Sequence, residues 1–127
     1  MLVVKKFTIF YFLCFIACFV NVAHAASDSV EVDLFIKDHK FFPEILELPA
    51  EKKILITIHN QDDTIEEFES TDLKREKIIL GNSTARVILA PLKPGEYKFF
   101  GEFHDSTAQG KIIVKENITE KETEEDV

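Results

Sequence analysis

This sequence predicts an all-β fold, an antiparallel sandwich or barrel of about seven to eight short strands, and three observations predict it. Runs rich in β-branched and aromatic residues recur along most of the chain, turn residues interrupt them every eight to twelve positions, and no segment carries a convincing helical period. The first run sets the pattern. Val30, Val32, Leu34 and Ile36 alternate with Glu31, Asp33 and Phe35, the period of two that turns one face of a strand to a core and the other to water. Further strands are expected at 45–48, 53–59, 65–70, 76–80, 83–90, 96–103 and 111–115. Phe42-Pro43, Pro49-Ala50, Asn60-Gln61-Asp62-Asp63, Gly81-Asn82, Lys93-Pro94-Gly95 and Gly110 punctuate them with residues that favour turns.

The ends of the chain differ from this middle. Lys5 and Lys6 precede an apolar run from Phe7 to Val20 that closes on Ala23-His24-Ala25, the layout of a secretory signal peptide over residues 1–25. An uncleaved N-terminal membrane anchor is the alternative, but a span needs roughly 20 apolar residues and this run is shorter. Residues 26–115 then form one domain. Residues 116–127, ENITEKETEEDV, are acidic and nearly free of apolar side chains, so a disordered tail is expected.

Cleavage at Ala25 would alter the available chemistry. Cys14, Cys18 and Met1 all lie in the removed segment, which leaves the mature chain without sulfur and so without disulfide, thiolate or thioether ligand. It also leaves 13 basic against 23 acidic residues. A balance this negative argues against nucleic acid and anionic lipid as partners, and for cations or a basic protein face. Catalytic signatures are absent: there is no nucleophile constellation, no Gly-rich phosphate loop and no C-x-x-C pair. A ferroxidase-like activity would need a redox ion with an open coordination position, which the sequence permits without indicating, and the chain is not expected to be an enzyme.

From Pro94 the chain reads as a Pro-Gly turn, an aromatic strand, a short loop with His104, a glycine and a last apolar strand, PGEYKFFGEFHDSTAQGKIIV. This resembles the final hairpin of a cupredoxin, in which the strand ends on a cysteine ligand and a histidine follows three positions later. By that spacing Gly101 stands at the cysteine position and His104 at the histidine. Upstream, His39 to Ser70 resembles the cupredoxin opening, and Glu66 occupies the place where the first ligand is usually histidine. The segments EEFES (66–70) and FFGEFH (99–104) are similar to those of cupredoxin-like domains in EfeO-type and related bacterial iron-uptake systems. The resemblance implies a Greek-key sandwich, a periplasmic location, and a partner such as an inner-membrane iron permease or another uptake component.

It does not imply blue-copper electron transfer, which needs a thiolate. Strand parity turns Glu66 and Phe68 inward and Glu67 and Glu69 outward, and places Phe99, Gly101 and Phe103 on the core face. A buried carboxylate must be neutral, paired or bound to a cation. The expected metal ligands are therefore His104 and Glu66, joined by Glu102, Glu67 or Asp105 through loop bending and by His39, holding copper or iron. Each has a structural alternative: Glu66 hydrogen-bonded to backbone N–H groups or paired with a lysine or arginine such as Arg75 or Arg86, His104 ordering its loop through hydrogen bonds, His39 without a ligand role. The rival function is a metal-free sandwich that docks an exported or membrane partner through Phe35, Phe42, Phe100 and Phe103.

Overall fold

The computed structural model describes residues 29–116. The segment read as a signal peptide and the acidic tail beyond Glu116 lie outside the described residues. Nine strands follow one another: β1 (Ser29–Lys37), β2 (Lys40–Phe42), β3 (Ile45–Pro49), β4 (Lys53–Asn60), β5 (Glu66–Ser70), β6 (Arg75–Ile79), β7 (Ser83–Leu89), β8 (Gly95–Gly101) and β9 (Gln109–Lys115). They form two sheets, β2-β1-β4-β7 and β3-β9-β8-β5-β6, whose inner faces enclose the core of a β-sandwich.

Neither sheet is purely antiparallel. β1 runs parallel to β4 and β3 parallel to β9, while the remaining neighbours are antiparallel. The chain's path explains the first exception, because a parallel pair needs a crossover connection. After β1 and β2 the chain visits the other sheet as β3, then returns as β4 in the direction of β1. β2 also has no counterpart in the sequence expectation, since three residues are too few to show a period.

Alternation fills the core. Leu34 and Ile36 of β1, and Ile54, Ile56 and Ile58 of β4, are buried from one sheet. Phe68 of β5 and Phe99 of β8 stack at 5.2 Å from the other, and Phe41 of β2 meets Phe99 edge-on at 5.1 Å. Edge-to-face and offset contacts of this kind add to the burial of each ring. Removing one ring would cost about 3–5 kcal/mol, a large share of a small domain's stability. Three polar side chains, Glu66, Ser70 and Asn60, are buried in the same interior, and all are satisfied. Ser70 donates to the carbonyl of Lys98 at 2.6 Å. Asn60 donates to the carbonyls of Thr64, Ile79 and Leu80 and accepts from the N–H of Asp62, tying the β4–β5 loop to the end of β6.

The β1–β2 hairpin positions the functional end of the sandwich. Lys37 pairs with Lys40, leaving a two-residue loop, Asp38-His39, with φ of 51° and 57°. Positive φ at both loop residues matches the right-handed twist of the flanking strands, at a cost for residues that carry a Cβ. Asp62, from the β4–β5 loop, offsets that cost: its Oδ1 accepts from the N–H of Asp38 at 2.8 Å and its Oδ2 from that of His39 at 3.0 Å. Burial pushes the Asp62 carboxyl up, but these two N–H groups and the nearby His39 and His104 outweigh it and hold it below its ordinary range.

A carboxyl whose pKa is lower in the folded than in the unfolded chain stabilises above the unfolded value and loses that contribution as pH falls through the folded one. Asp62→Asn presents an NH₂ group to one of the two N–H donors, so a loss of about 1–3 kcal/mol is expected at neutral pH. Urea denaturation at a series of pH values should show the gap between wild type and variant narrowing below about pH 4.

Candidate metal site

Glu66 opens β5 and points inward, and it is 2% exposed. The strand's alternation places it there, one step along the inner face from Phe68. Its Oε1 accepts from the N–H of Glu67 at 2.9 Å and of Phe103 at 3.1 Å, and its Oε2 lies 2.5 Å from Nδ1 of His104. A buried carboxylate is thereby fully satisfied without Arg75 or Arg86. Arg75 instead donates to the carbonyls of Lys74 and Ile88.

His104 comes from the turn after β8. The strand ends at Gly101 and the chain tightens into one 3-10 turn over Glu102–His104, so the expected strand to residue 103 stops short. Phe103 leaves the core face in consequence and is exposed, which corrects the parity expectation for that residue. The carbonyl of His104 accepts from the N–H groups of Thr107 and Ala108, closing the loop. Thr107 also donates through Oγ1 to the carbonyl of His39 at 2.8 Å, fastening this loop to the β1–β2 turn.

The fastening brings the two imidazoles together. The rings of His39 and His104 stack at 3.7 Å between centroids with 13° between planes. His39, Glu66 and His104 each present a ligand atom within 4.8 Å of the others'. Donors sharing one ion at roughly 2.1 Å stand at most about 4.2 Å apart, so a small closure of this trio suffices. Two nitrogens and a carboxylate oxygen suit a borderline divalent ion and not Cu⁺, which prefers sulfur.

The other expected ligands sit elsewhere. Glu67 faces outward from β5 and gathers with Glu69 and Glu76 on the outer side of the five-stranded sheet. Partial desolvation, then the carboxylates of Glu76, Glu69, Glu102 and Glu66, raise its pKa above the ordinary value. Glu102 is exposed on the 3-10 turn, and Asp105 is exposed beyond it, with its carbonyl accepting from Gln109. The aromatic quartet is divided as well. Phe35 and Phe42 pair across β1 and β2 in one sheet, while Phe100 pairs with Glu69 and Gln109 in the other. His59 ends the interior strand β4, stacked on Phe35 and bonded to Asp33. Asp62 was marked only as a turn residue by the sequence, although the Asn-Gln-Asp-Asp run carried the signal that an Asx side chain would cap a backbone here.

Glycine at 101 has a steric reason. A Cβ there would lie 2.7 Å from Cβ of Ala108, 2.9 Å from Cδ of Glu66 and 3.0 Å from its Oε1. The carboxyl group of Glu66 fills the volume that any side chain at 101 would need. Gly101→Ala should therefore cost about 1–3 kcal/mol by overpacking. Because it displaces the carboxylate, it should also lengthen the contact with His104, which the NMR shifts of the His104 ring would report.

Comparison with known proteins agrees with this fold. Residues 9–114 match the family described as Cupredoxin-like domain. An uncharacterized protein of Rickettsia prowazekii (strain Madrid E) is 52% identical over 118 residues, covering 88% of this chain and 94% of that one. Among solved structures, auracyanin A, a blue copper protein from Chloroflexus aurantiacus, superposes with a TM-score of 0.60 at 15% identity, over 68% of this chain and 99% of its own. The metal-binding domain of a Cu(I)-exporting P-type ATPase from Streptococcus pneumoniae, solved with Cu(I), gives 0.60 at 13% identity, over 69% and 87%. Amicyanin from Paracoccus versutus gives 0.54 at 16% identity, over 67% and 81%. At such identities the structural likeness speaks for the fold, and together with the sequence match it shows that the chain belongs to the Cupredoxin-like domain family.

Proposed function

We propose that this protein is an exported metal-binding domain that captures a divalent transition-metal ion on His39, Glu66 and His104 and passes it on. The observation that carries the reading is the convergence of these three side chains, from three separate segments of the chain, within 4.8 Å of one another. Copper(II) is the ion such a nitrogen and oxygen set favours by intrinsic affinity, and the copper proteins among the structural relatives support copper. Iron(II) as the cargo of a bacterial uptake system, with a membrane permease as recipient, is the finer form of the proposal. Its support is the likeness of EEFES and FFGEFH to segments of EfeO-type domains, and selectivity for iron would then rest on supply and geometry. The N-terminal apolar run after Lys5 and Lys6 supports export.

The chemistry is binding and release. Half-buried His39 admits the ion from solvent, Glu66 supplies the negative charge from below, and His104 bridges them. With no thiolate in residues 26–127, the site lacks the soft ligand that holds copper in both oxidation states.

Calorimetric titration with Cu²⁺, and anaerobically with Fe²⁺, tests the reading. One ion per chain is expected, with affinity reduced at least about tenfold in each of His39→Ala, Glu66→Gln and His104→Ala, the loss of one ligand bond's worth of binding. Binding no tighter than about 1 mM, or binding unchanged in all three variants, would refute it.

A further inference from the structure

The outer face of the five-stranded sheet carries an apolar strip that nothing in the described fold covers. β5 and β6 pair through Glu66 and Ile79, so Ile65 and Leu80 flank each other immediately beyond, and Ile78 follows on the same face opposite Glu67. Ile65 is 44% exposed, Ile78 42% and Leu80 62%. Isolated exposed aliphatics are ordinary, but three made adjacent by register form a continuous surface. The strip is also held rigidly. The backbone of Leu80 accepts from Asn60 and, at 2.6 Å, from the hydroxyl of Ser83, so its side chain is presented from a fixed support.

Carboxylates border the strip on one side. Glu69 and Glu76 stand directly opposite each other across β5 and β6, an arrangement that destabilises a sheet. Glu67 lies between them and the strip, and Glu102 follows on the neighbouring turn. Among the described residues, none of these four forms an ion pair, although Lys111 and Lys115 on β9 are paired with Glu96 and Glu47. The positive side chains of β6 do not relieve the crowding: Arg75 and Lys77 alternate with Glu76 and Ile78 and so point to the sheet's other side.

We propose that this face is a docking surface for a protein partner that offers an apolar contact flanked by lysine or arginine. The partner's charge is set by complementarity, since an unneutralised acidic border beside a rigid apolar strip is matched by the opposite sign around an apolar centre. A second copy of this chain would bring the same carboxylates together, at a net charge of −8 on each copy, and an anionic lipid surface would be repelled in the same way. The location gives the contact a purpose. Ile65 precedes Glu66, and Phe103, whose N–H bonds Glu66, borders the same end of the sandwich, so a docked partner stands at the rim of the His39, Glu66 and His104 group. The inference goes beyond metal capture and does not depend on it.

Amide NMR of the protein titrated with a synthetic peptide of alternating lysine and leucine, and with an all-lysine peptide of equal charge, decides the matter. The expected result is a set of shifts centred on Ile65, Glu67, Ile78 and Leu80, at least about fivefold tighter binding of the mixed peptide, and weakening in raised salt. Ile78→Ser with Leu80→Ser, both at exposed positions, should remove the mixed peptide's advantage, and Glu69→Lys with Glu76→Lys should weaken both peptides. Cu²⁺ titration should be unchanged in either pair, which separates failure of this face from failure of the metal site. Shifts spread over other acidic positions such as Glu31 and Glu47, or equal binding of the two peptides, would overturn the proposal as unspecific attraction. Sedimentation showing a dimer that Leu80→Ser disperses would overturn it in favour of self-association.

Discussion

The carboxylate of Glu66 and the missing side chain at Gly101 are one constraint seen from two strands, and the end of the molecule is organised around it. β5 delivers the carboxylate inward beside Phe68, and β8, paired to β5 through Phe68 and Gly101, comes close enough that only hydrogen fits at 101. A carboxylate so deeply placed requires donors on all sides. The N–H groups of Glu67 and Phe103 and the ring of His104 provide them, and the 3-10 turn after Gly101 is the conformation that aims both Phe103 and His104 at the same acceptor. Substituting either residue alone therefore leaves an overfilled volume or an unsatisfied group.

The second histidine arrives by a different route. His39 sits in a tight hairpin loop with φ of 57°, and two unrelated segments hold it there: Asp62 from one side, through backbone N–H groups, and Thr107 from the other, through the carbonyl. Three loops thus meet at one end of the sandwich, joined by side chain to backbone bonds that would form whether or not a metal is present. Preorganisation of this kind lowers the ordering cost of binding an ion. It also explains why the two imidazoles lie face to face, since each ring's position follows from its own loop's anchoring.

Much of this was legible in the sequence, for identifiable reasons. The period of two in Val30–Ile36 stated which face is buried, and the inward position of Glu66 followed from the same parity as Phe68. Gly101 was visible as a substitution, but its reason was not, because the contact with Glu66 depends on sheet register between residues 35 positions apart in the chain. The strand's early stop at Gly101 was missed because Phe103 continues an apolar alternation that the 3-10 turn overrides. β2 and the parallel pairing of β1 with β4 were hidden for a related cause: a three-residue strand has no period, and strand direction is a property of the path between sheets. Glu67 and Glu102 were added to Glu66 and His104 on the expectation of loop bending, but Glu67 keeps the outward side that alternation gave it and Glu102 stays exposed on the 3-10 turn.

That separation of carboxylates gives the domain two electrostatic surfaces with different requirements. Inside, one negative charge is matched by directed donors and one histidine, so its neighbours cannot change without cost. Outside, Glu67, Glu69 and Glu76 repel one another in the open, where solvent screens them and substitution is cheap for the fold. A sandwich that only had to be stable would gain by replacing one member of the directly opposed Glu69 and Glu76 pair with lysine. The pair puts a small stability cost on a face whose apolar strip begins next to Glu66. One strand thus carries on its inner face a carboxylate held by directed donors and on its outer face, at Glu67 and Glu69, carboxylates that solvent alone screens.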